Sequence, residues 1–247
     1  MKMLRIILLL FLLSTVVTAG AAEPVGNRLA FTQLDYDGEW DPYPQIYQDI
    51  FSFLTYTTSM EVYPQRQTIK ITDEMLFYSP LVIVLNRGRF AGFTPNERDL
   101  LKKYINGGGI LFIEDCSGNK YSDFDKKIRR ELELIIPERR LAKIPKDHAL
   151  LRSFYLLRGI AGRYITNNYI EGIDISGRTA VIYSQNDVFG AWVRDRYGNY
   201  FLECVPGGES QRFEAQKLTI NIFLYSGTGT YKNDFIHKKF IEEKLKR

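Results

Sequence analysis

The sequence lacks a basic stripe, a long apolar run beyond its first residues, internal repeats and low-complexity tracts. Its 33 Lys and Arg residues are scattered and nearly balanced by 29 Asp and Glu residues. This balance excludes the concentrated positive surface of a nucleic-acid-binding protein. No linker rich in proline, glycine or serine divides the 247 residues, so we expect a single large domain.

The first residues have the features of a secretory signal peptide. Lys2 and Arg5 precede an apolar run and four small residues that end at Ala22. Because the run is shorter than the roughly 20 residues that span a bilayer, we expect cleavage near Ala22 and not a retained anchor. The predicted division is a signal peptide at 1–22 and one domain at 23–247. The protein would then be periplasmic or extracellular and would meet the membrane only during export.

Two cysteines, Cys116 and Cys204, are the only thiols of the chain. Export would place them in an oxidising compartment. A disulfide also needs Cα atoms within about 7 Å of each other, which the sequence does not establish. One disulfide and two buried thiols remain open alternatives.

The segment at 94–115 predicts the fold most clearly. Thr94 and Glu97 form a capping-box pattern ahead of an apolar helical stripe. The glycines at 107–109 then stop the helix, and the apolar run at 110–113 is typical of a strand covered on both faces. Since these glycines lie between a helix and the strand that follows it, they do not form a phosphate-binding loop.

Similar patterns along the chain give a β-α-β-α order with short loops. This order predicts an α/β fold with a mostly parallel sheet, helices on both faces and a β-rich C-terminal insertion after Pro145. The core would span about 28–226, and a basic tail would follow at 227–247. The other predicted elements are strands at 28–36, 61–63, 81–85 and 140–144, helices capped by Asp41 and Ser122, a loop with a helical turn at 65–80, paired strands at 169–175 and 179–183, and a closing helix at 214–225.

Five motifs in order resemble one protein family. They are FTQLDYDGEWD, LVIVLN, TPNERDLLKKYINGGGILFIED, IPKDHALLRSFY and YSQNDVFGAW. Over 28–225 the chain is similar to the bacterial family known as domain of unknown function 4159. That family is similar in fold to the flavodoxin-like core of the class I glutamine amidotransferases. The resemblance implies neighbourhoods shared with MoxR-type ATPases and von Willebrand-type membrane proteins, and it implies no established reaction.

A cysteine nucleophile is the sharpest enzymatic hypothesis that this resemblance raises. Cys116 follows a strand at a strand-to-helix turn, where amidotransferases keep their nucleophile and where a helix N-terminus lowers a thiol's pKa. A nucleophilic cysteine also needs a base within hydrogen-bond reach. The His-x-Glu pair of those enzymes has no counterpart, because the histidines are His148 and His237. We therefore predict no amidotransferase activity.

In an open parallel sheet, ligands bind outside the carboxyl ends of the strands. Polar residues follow four of the predicted strands, so we expect them to line one acidic crevice. The predicted pocket residues are Asp35, Asp37, Trp40, Asn86, Arg87, Glu114, Asp115, Asn186, Asp187 and Trp192.

A divalent cation is one possible occupant of this crevice. Carboxylate oxygens of Asp35, Asp37, Asp115 and Asp187 would be suitable ligands. No spaced ligand loop such as an EF-hand is present, however, and acids at strand ends often cap helices and turns. We therefore expect no cofactor, with a divalent cation as the alternative.

A sugar is the other possible occupant. Trp40 and Trp192 follow strands beside polar groups and would offer ring faces to a glycan. Asp37 and Asp187 would cleave a glycosidic bond only if their separation were suitable. The alternative is that these aromatic residues belong to the hydrophobic core, as most aromatic residues do.

From these patterns we predict an exported, non-catalytic ligand-binding or scaffolding protein of the bacterial cell envelope. Its partners would be envelope or membrane proteins or glycan. The alternative is a hydrolase that acts on an envelope glycan through the acidic crevice. Catalysis requires Asp37, Asp115 and Asp187 to face one pocket. Binding requires a shallow crevice, or acids engaged as caps and in ion pairs with Arg87 and Arg89.

Overall fold

A sheet of seven strands organises residues 28–228, the part of the chain that the computed structural model describes. The signal peptide predicted at 1–22 and nearly all of the basic tail lie outside the described residues. The strands are β1 (Thr32–Asp35), β2 (Gln67–Lys70), β3 (Leu81–Asn86), β4 (Ile110–Asp115), β5 (Ala142–Lys143), β6 (Glu171–Ile175) and β7 (Arg178–Ser184). The α-helices are α1 (Ile46–Thr57), α2 (Pro95–Asn106), α3 (Asp123–Ile135) and α4 (Gly208–Thr228). Short 3₁₀ helices lie at Glu74–Tyr78, Ala149–Arg152 and Phe189–Trp192.

The strands follow the order β2-β1-β3-β4-β7-β6-β5 across the sheet. The first five are mutually parallel, β6 is antiparallel to β7, and β5 is antiparallel to β6. This arrangement confirms the predicted α/β class with a mostly parallel, flavodoxin-like sheet. The carboxyl ends of β1, β3, β4 and β7 therefore share one edge, where ligands of such sheets bind.

Alternating side chains divide the core between the two faces of the sheet. In β3, Leu81, Ile83 and Leu85 pack with the residues of α1 and α4, whereas Val82 and Val84 pack with those of α2 and α3. Because consecutive side chains of a strand point to opposite faces, a strand covered on both sides is apolar throughout. We call the two sides the α1–α4 face and the α2–α3 face.

Helices α2 and α3 begin where the sequence predicts. The Thr94 hydroxyl accepts the N–H of Glu97 at 3.3 Å, and the Glu97 carboxylate accepts the N–H of Thr94 at 2.7 Å, so the capping box is confirmed. At the start of α3 the Ser122 hydroxyl accepts the N–H of Asp125 at 2.8 Å. This cap fixes the first turn of α3 beside the carboxyl end of β4.

The predicted start of the first helix is wrong, because α1 begins at Ile46 and not after Asp41. The Asp41 carboxylate instead binds the guanidinium of Arg66, at 2.6 and 2.9 Å. Tyr43 precedes Pro44, and a residue before proline disfavours the helical conformation. The chain therefore stays in a loop that carries Tyr43 beneath the carboxyl edge of the sheet.

The structure contains an edge strand that the sequence pattern does not predict. A loop with a helical turn is expected at 65–80. The turn is present as the 3₁₀ helix Glu74–Tyr78, but the residues before it form β2, which pairs with β1. Ile69 is the one buried residue of β2. The strand therefore contains no apolar run from which it could be predicted. The strand predicted at 61–63 is reduced to an isolated pairing of Val62 with Leu29.

Strands β6 and β7 are the paired strands that the sequence predicts, and they form an antiparallel hairpin. Ser176 and Gly177 adopt φ values of 51° and 81°, which are the left-handed conformations of a tight hairpin turn. Strand β7 then joins the parallel part of the sheet beside β4. The rest of the predicted C-terminal insertion consists of β5, β6 and mainly irregular segments at 145–170 and 185–207.

Both ends of the described chain lie at the amino edge of the sheet. Leu29 pairs with Val62 ahead of β1, and the Tyr225 hydroxyl near the end of α4 accepts the N–H of Thr179 near the start of β7 at 3.0 Å. The polar carboxyl edge is on the opposite side. Between residues 28 and 228 no helix combines the length and the apolar character that crossing a membrane requires.

Candidate functional site

Five of the predicted pocket residues fall into two sites on opposite faces of the sheet. Glu114 and Cys116 point to the α1–α4 face, where they meet Asp187. Asp115, which lies between them in the chain, points to the α2–α3 face beside Asn86, its partner in β3. This separation follows from the alternation of side chains along β4. The single crevice expected from the sequence is therefore two separate sites.

Asp187 is the centre of the buried site. Its carboxylate has no exposed surface and accepts the hydroxyl of Tyr43, which lies 2.9 Å from each oxygen. The Nε of Arg163 donates to the same carboxylate, and the Gly190 N–H donates to it at 3.2 Å. A φ of 55° turns the Asp187 side chain into the core, and aspartate tolerates this left-handed conformation. Both of its oxygens therefore already accept hydrogen bonds from the protein itself.

Glu114 holds the turn that follows β7. Its two carboxylate oxygens accept the backbone N–H groups of Val188 at 2.6 Å and Phe189 at 2.9 Å. Burial raises the pKa of Glu114 to about 8, and the nearby charge of Asp187 acts in the same direction. Glu114 is therefore a buried structural acceptor with a strong tendency to keep its proton.

The Cys116 thiol is held in its neutral form. Burial raises its pKa well above the ordinary value, and the carboxylates of Asp187 and Glu114 raise it further. A nucleophilic cysteine needs the opposite shift and a nearby base. Within 28–228 the one histidine is His148, whose Nε2 contacts the Thr179 hydroxyl at 2.9 Å near the amino edge of the sheet. The buried site thus lacks the arrangement that cysteine catalysis requires.

Both cysteines are free thiols, and both are buried. The sequence left a disulfide and two buried thiols as alternatives, and the structure contains two buried thiols.

The four acids expected to form a cation site do not come together. Asp35 is half-buried at the end of β1, and Asp37 is exposed and pairs with Arg89 at 2.7 Å. Asp115 and Asp187 lie on opposite faces of the sheet. Their oxygens cannot reach one ion without a rearrangement of the strands.

A different group has the spacing of metal ligands, but its chemistry does not suit an ion. Ligand atoms of Glu114, Cys116 and Asp187 all lie within 4.8 Å of one another. The guanidinium of Arg163 already supplies a positive charge to Asp187, and both Glu114 oxygens accept backbone N–H groups. A bound cation would have to displace these donors and deprotonate a thiol whose pKa is raised.

An open cleft lies on the other face, between the carboxyl ends of β3 and β4 and the start of α3. Its volume is about 380 Å³, and we call it the rim cleft. Three segments line it: the loop at 86–90, the loop at 115–122 and the first turns of α3. Of the predicted pocket residues, Asn86, Arg87 and Asp115 line this cleft.

Asn86 fixes the first of these loops. Its side-chain amide donates to the Tyr36 hydroxyl at 2.9 Å and to the Arg89 carbonyl at 3.0 Å. Its side-chain oxygen accepts the N–H of Gly88 at 2.9 Å. Because Asn86 is fully buried, these bonds hold the loop that carries Arg87 in one conformation.

Asp115 fixes the second loop in the same way. One carboxylate oxygen accepts the N–H of Ser117 at 3.0 Å, and the other accepts the Ser122 hydroxyl. Only 1% of Asp115 is exposed, so it organises the wall of the cleft and offers no free oxygen to a ligand.

Most of the other charges around the rim cleft are paired within the protein. Asp123 binds Lys126 at 3.2 Å, and both side chains are exposed. Lys127 donates to the carbonyl oxygen of Phe90 at 2.8 Å, which leaves its charge without a carboxylate partner among the described residues. Arg87 is exposed and contacts no described acid through its guanidinium.

Neither tryptophan offers a ring to the rim cleft. Trp192 is 1% exposed, and its indole N–H donates to the Thr219 hydroxyl in the core at 2.9 Å. Trp40 is half-buried beneath the guanidinium of Arg66, which lies 5.8 Å from the ring centroid. Asn186 is also buried and exchanges two hydrogen bonds with the backbone of Asn167. These three predicted pocket residues are structural, and the expectation of a sugar-stacking surface is not met.

The sequence reasoning missed Tyr43, Arg163 and Lys127. Tyr43 and Arg163 lie in irregular segments, where no periodic pattern shows which way a side chain points. Lys127 had a usable signal, since it is one turn beyond Asp123 on the capped helix that starts at the carboxyl edge. Residues of the first turns of such a helix face the same rim as the strand ends.

Comparisons with known proteins give a family and no activity. The chain matches no curated protein sequence. The sequence profile of the family described as domain of unknown function DUF4159 matches residues 29–226, which is most of the chain and includes all of the strands described above. This chain therefore belongs to the DUF4159 family.

Proposed function

We propose that this chain is an exported domain of the bacterial cell envelope that binds a ligand or partner at the rim cleft without catalysing a reaction. One observation carries the proposal. The buried acids at the carboxyl edge are already engaged by the protein's own donors, as Asp187 is by Arg163 and Asp115 by Ser117 and Ser122. Such groups shape a site, but they are not free to act as acid, base or nucleophile.

The rim cleft has properties that favour binding. Its volume of about 380 Å³ falls within the range of roughly 300 to 1,000 Å³ that is typical of ligand sites. Asn86 and Asp115 hold its two loops through buried hydrogen bonds. A site that is already ordered loses less conformational entropy when a ligand binds.

The hydrolase alternative receives no support from the positions of its acids. A glycosidase needs two carboxyl groups that face one cleft at a separation of about 5 to 10 Å. Asp187 has no exposed surface, and exposed Asp37 is paired with Arg89.

A steric plug tests the proposal. Asn119 is an exposed residue of the rim cleft, so Asn119→Trp is expected to weaken the binding of soluble peptidoglycan fragments at least about tenfold, as the loss of the central contacts of an interface does. Isothermal titration calorimetry would measure the affinity, and an assay for new reducing ends would detect cleavage.

Asn106→Trp is the matched control, because Asn106 is exposed at the end of α2, away from the carboxyl edge. It should bind as the unmodified chain does. The proposal fails if no fragment binds, or if Asn119→Trp and Asn106→Trp bind equally well. Release of reducing ends that Asp37→Asn or Asp187→Asn abolishes would establish the hydrolase instead.

Export is tested separately. Expressed with its own N-terminus in a bacterium, the chain should be recovered from the envelope fraction with Glu23 as its first residue, since cleavage is expected after Ala22. Mass spectrometry of the intact protein measures the cleavage point. A chain that keeps Met1 and stays in the cytoplasm contradicts export directly.

A further inference from the structure

We infer that the rim cleft binds an oxyanion, a carboxylate or phosphate group of its ligand, between the side chains of Arg87 and Lys127. This inference rests on the proposed function and specifies the chemistry of the ligand. It depends on which charges around the cleft are already neutralised and which remain available.

The acids of the rim cleft already have partners within the protein. Asp115 is buried, and each of its oxygens accepts a hydrogen bond from the loop at 117–122. Asp123 pairs with Lys126 on the exposed side of α3 at 3.2 Å. A cationic ligand would therefore have to compete with these partners for the carboxylates that line the cleft.

Two further acids lie close to the loop at 86–90, and both bind Arg89, one through its side chain and one through its backbone. The Asp37 carboxylate pairs with the Arg89 guanidinium at 2.7 Å. A Glu39 oxygen accepts the backbone N–H of Arg89 at 3.2 Å. Neither acid lines the cleft, whereas Arg89 does and is already paired with Asp37. Among the described residues, Arg87 and Lys127 are therefore the cations of the cleft that have no carboxylate partner.

Arg87 and Lys127 approach the cleft from opposite walls. Arg87 projects from the loop that Asn86 holds in place, and Lys127 projects from the second turn of α3. The Lys127 ammonium donates to a carbonyl oxygen of the first wall, that of Phe90, at 2.8 Å. It retains two further N–H donors. A guanidinium binds a carboxylate or phosphate through two parallel hydrogen bonds, and the ammonium adds a point charge.

A titration of the purified exported chain with small anions tests the inference. Inorganic phosphate and glucuronate represent the two sources of an oxyanion, and glucose is the neutral counterpart of glucuronate. Amide NMR spectra report on each loop separately. We expect at least one anion to cause saturable chemical-shift changes that are confined to residues 86–90 and 115–127. Glucose should cause no such changes. Arg87→Gln and Lys127→Gln should each weaken binding of that anion about five- to tenfold.

Arg130→Gln is the matched control, since Arg130 is an exposed cation of α3 that pairs with Glu133 and does not line the cleft. It should leave the affinity for the anion unchanged. The inference is overturned if glucose binds as well as glucuronate, if Arg130→Gln weakens binding as much as Arg87→Gln, or if neither anion gives saturable shifts. If peptidoglycan fragments still bind in that last case and Asn119→Trp blocks them, the proposed function survives without its anionic ligand.

Discussion

Arg163→Met is expected to lower the free energy of unfolding by about 3 to 5 kcal/mol, the usual effect of removing one partner of a buried ion pair. Asp187 would then be left without its cationic partner in a site with no exposed surface, where burial already raises the pKa of its carboxyl group. The Tyr43 hydroxyl and the Gly190 N–H would remain as donors, but neither carries a positive charge. Urea denaturation followed by circular dichroism at neutral pH measures the change.

The double variant Arg163→Met/Asp187→Asn separates the ion pair from simple packing. Asparagine keeps an acceptor for Tyr43 and tolerates the left-handed backbone at this position. Removing both charges together should therefore restore much of the lost stability. Arg158→Met, at an exposed position nearby in the chain, should change the stability by less than about 0.5 kcal/mol. A double variant as unstable as Arg163→Met alone would show that the charge of Asp187 is not the cause.

Stability should fall as the pH rises from about 5 to 8, because Glu114 keeps its proton in the folded state. Its pKa is raised from 4.5 to about 8 by burial and by Asp187. Below the pKa that Glu114 has in the unfolded chain, its carboxyl group is protonated in both the folded and the unfolded state, and no stability is lost. Between the two values the unfolded state releases the proton that the folded state retains, so unfolding becomes progressively easier. At about 1.4 kcal/mol per pKa unit, the total effect is about 3 to 5 kcal/mol.

The comparison with Glu114→Gln isolates this contribution. Glutamine does not titrate, so the unfolding free energy of the variant should depend less steeply on pH, whatever its absolute stability. Burial lowers the pKa of His148, so the titration of His148 makes the stability rise with pH. This contribution is the same in the unmodified chain and in the variant. Glu138→Gln, at an exposed position, should keep the original slope. Equal slopes for Glu114→Gln and the unmodified chain would contradict the assignment.

Local sequence signals predicted the elements whose patterns are strong. The capping box at Thr94 and the apolar run of β4 were sufficient because each reflects forces within a few residues. Strand β2 has one buried residue, Ile69, and its formation depends on pairing with a distant strand. The start of α1 depends on a similar contact, since Arg66 binds the aspartate that would otherwise cap the helix.

The sequence predicts one crevice at the carboxyl edge, whereas alternation along β4 places Asp115 on one face of the sheet and Glu114 on the other. That alternation is readable from the sequence once a strand has been assigned. The partners Tyr43 and Arg163 were not predictable, because irregular segments have no period from which to infer direction.

The positions of Leu29 and Tyr225 have a practical consequence for attaching this domain to a surface. Both lie across the sheet from the rim cleft. A label or linker attached directly at either position would hold the sheet with the rim cleft pointing away from the attachment point. Attachment at these positions should therefore leave the rim cleft accessible, whereas attachment through α3 should obstruct it.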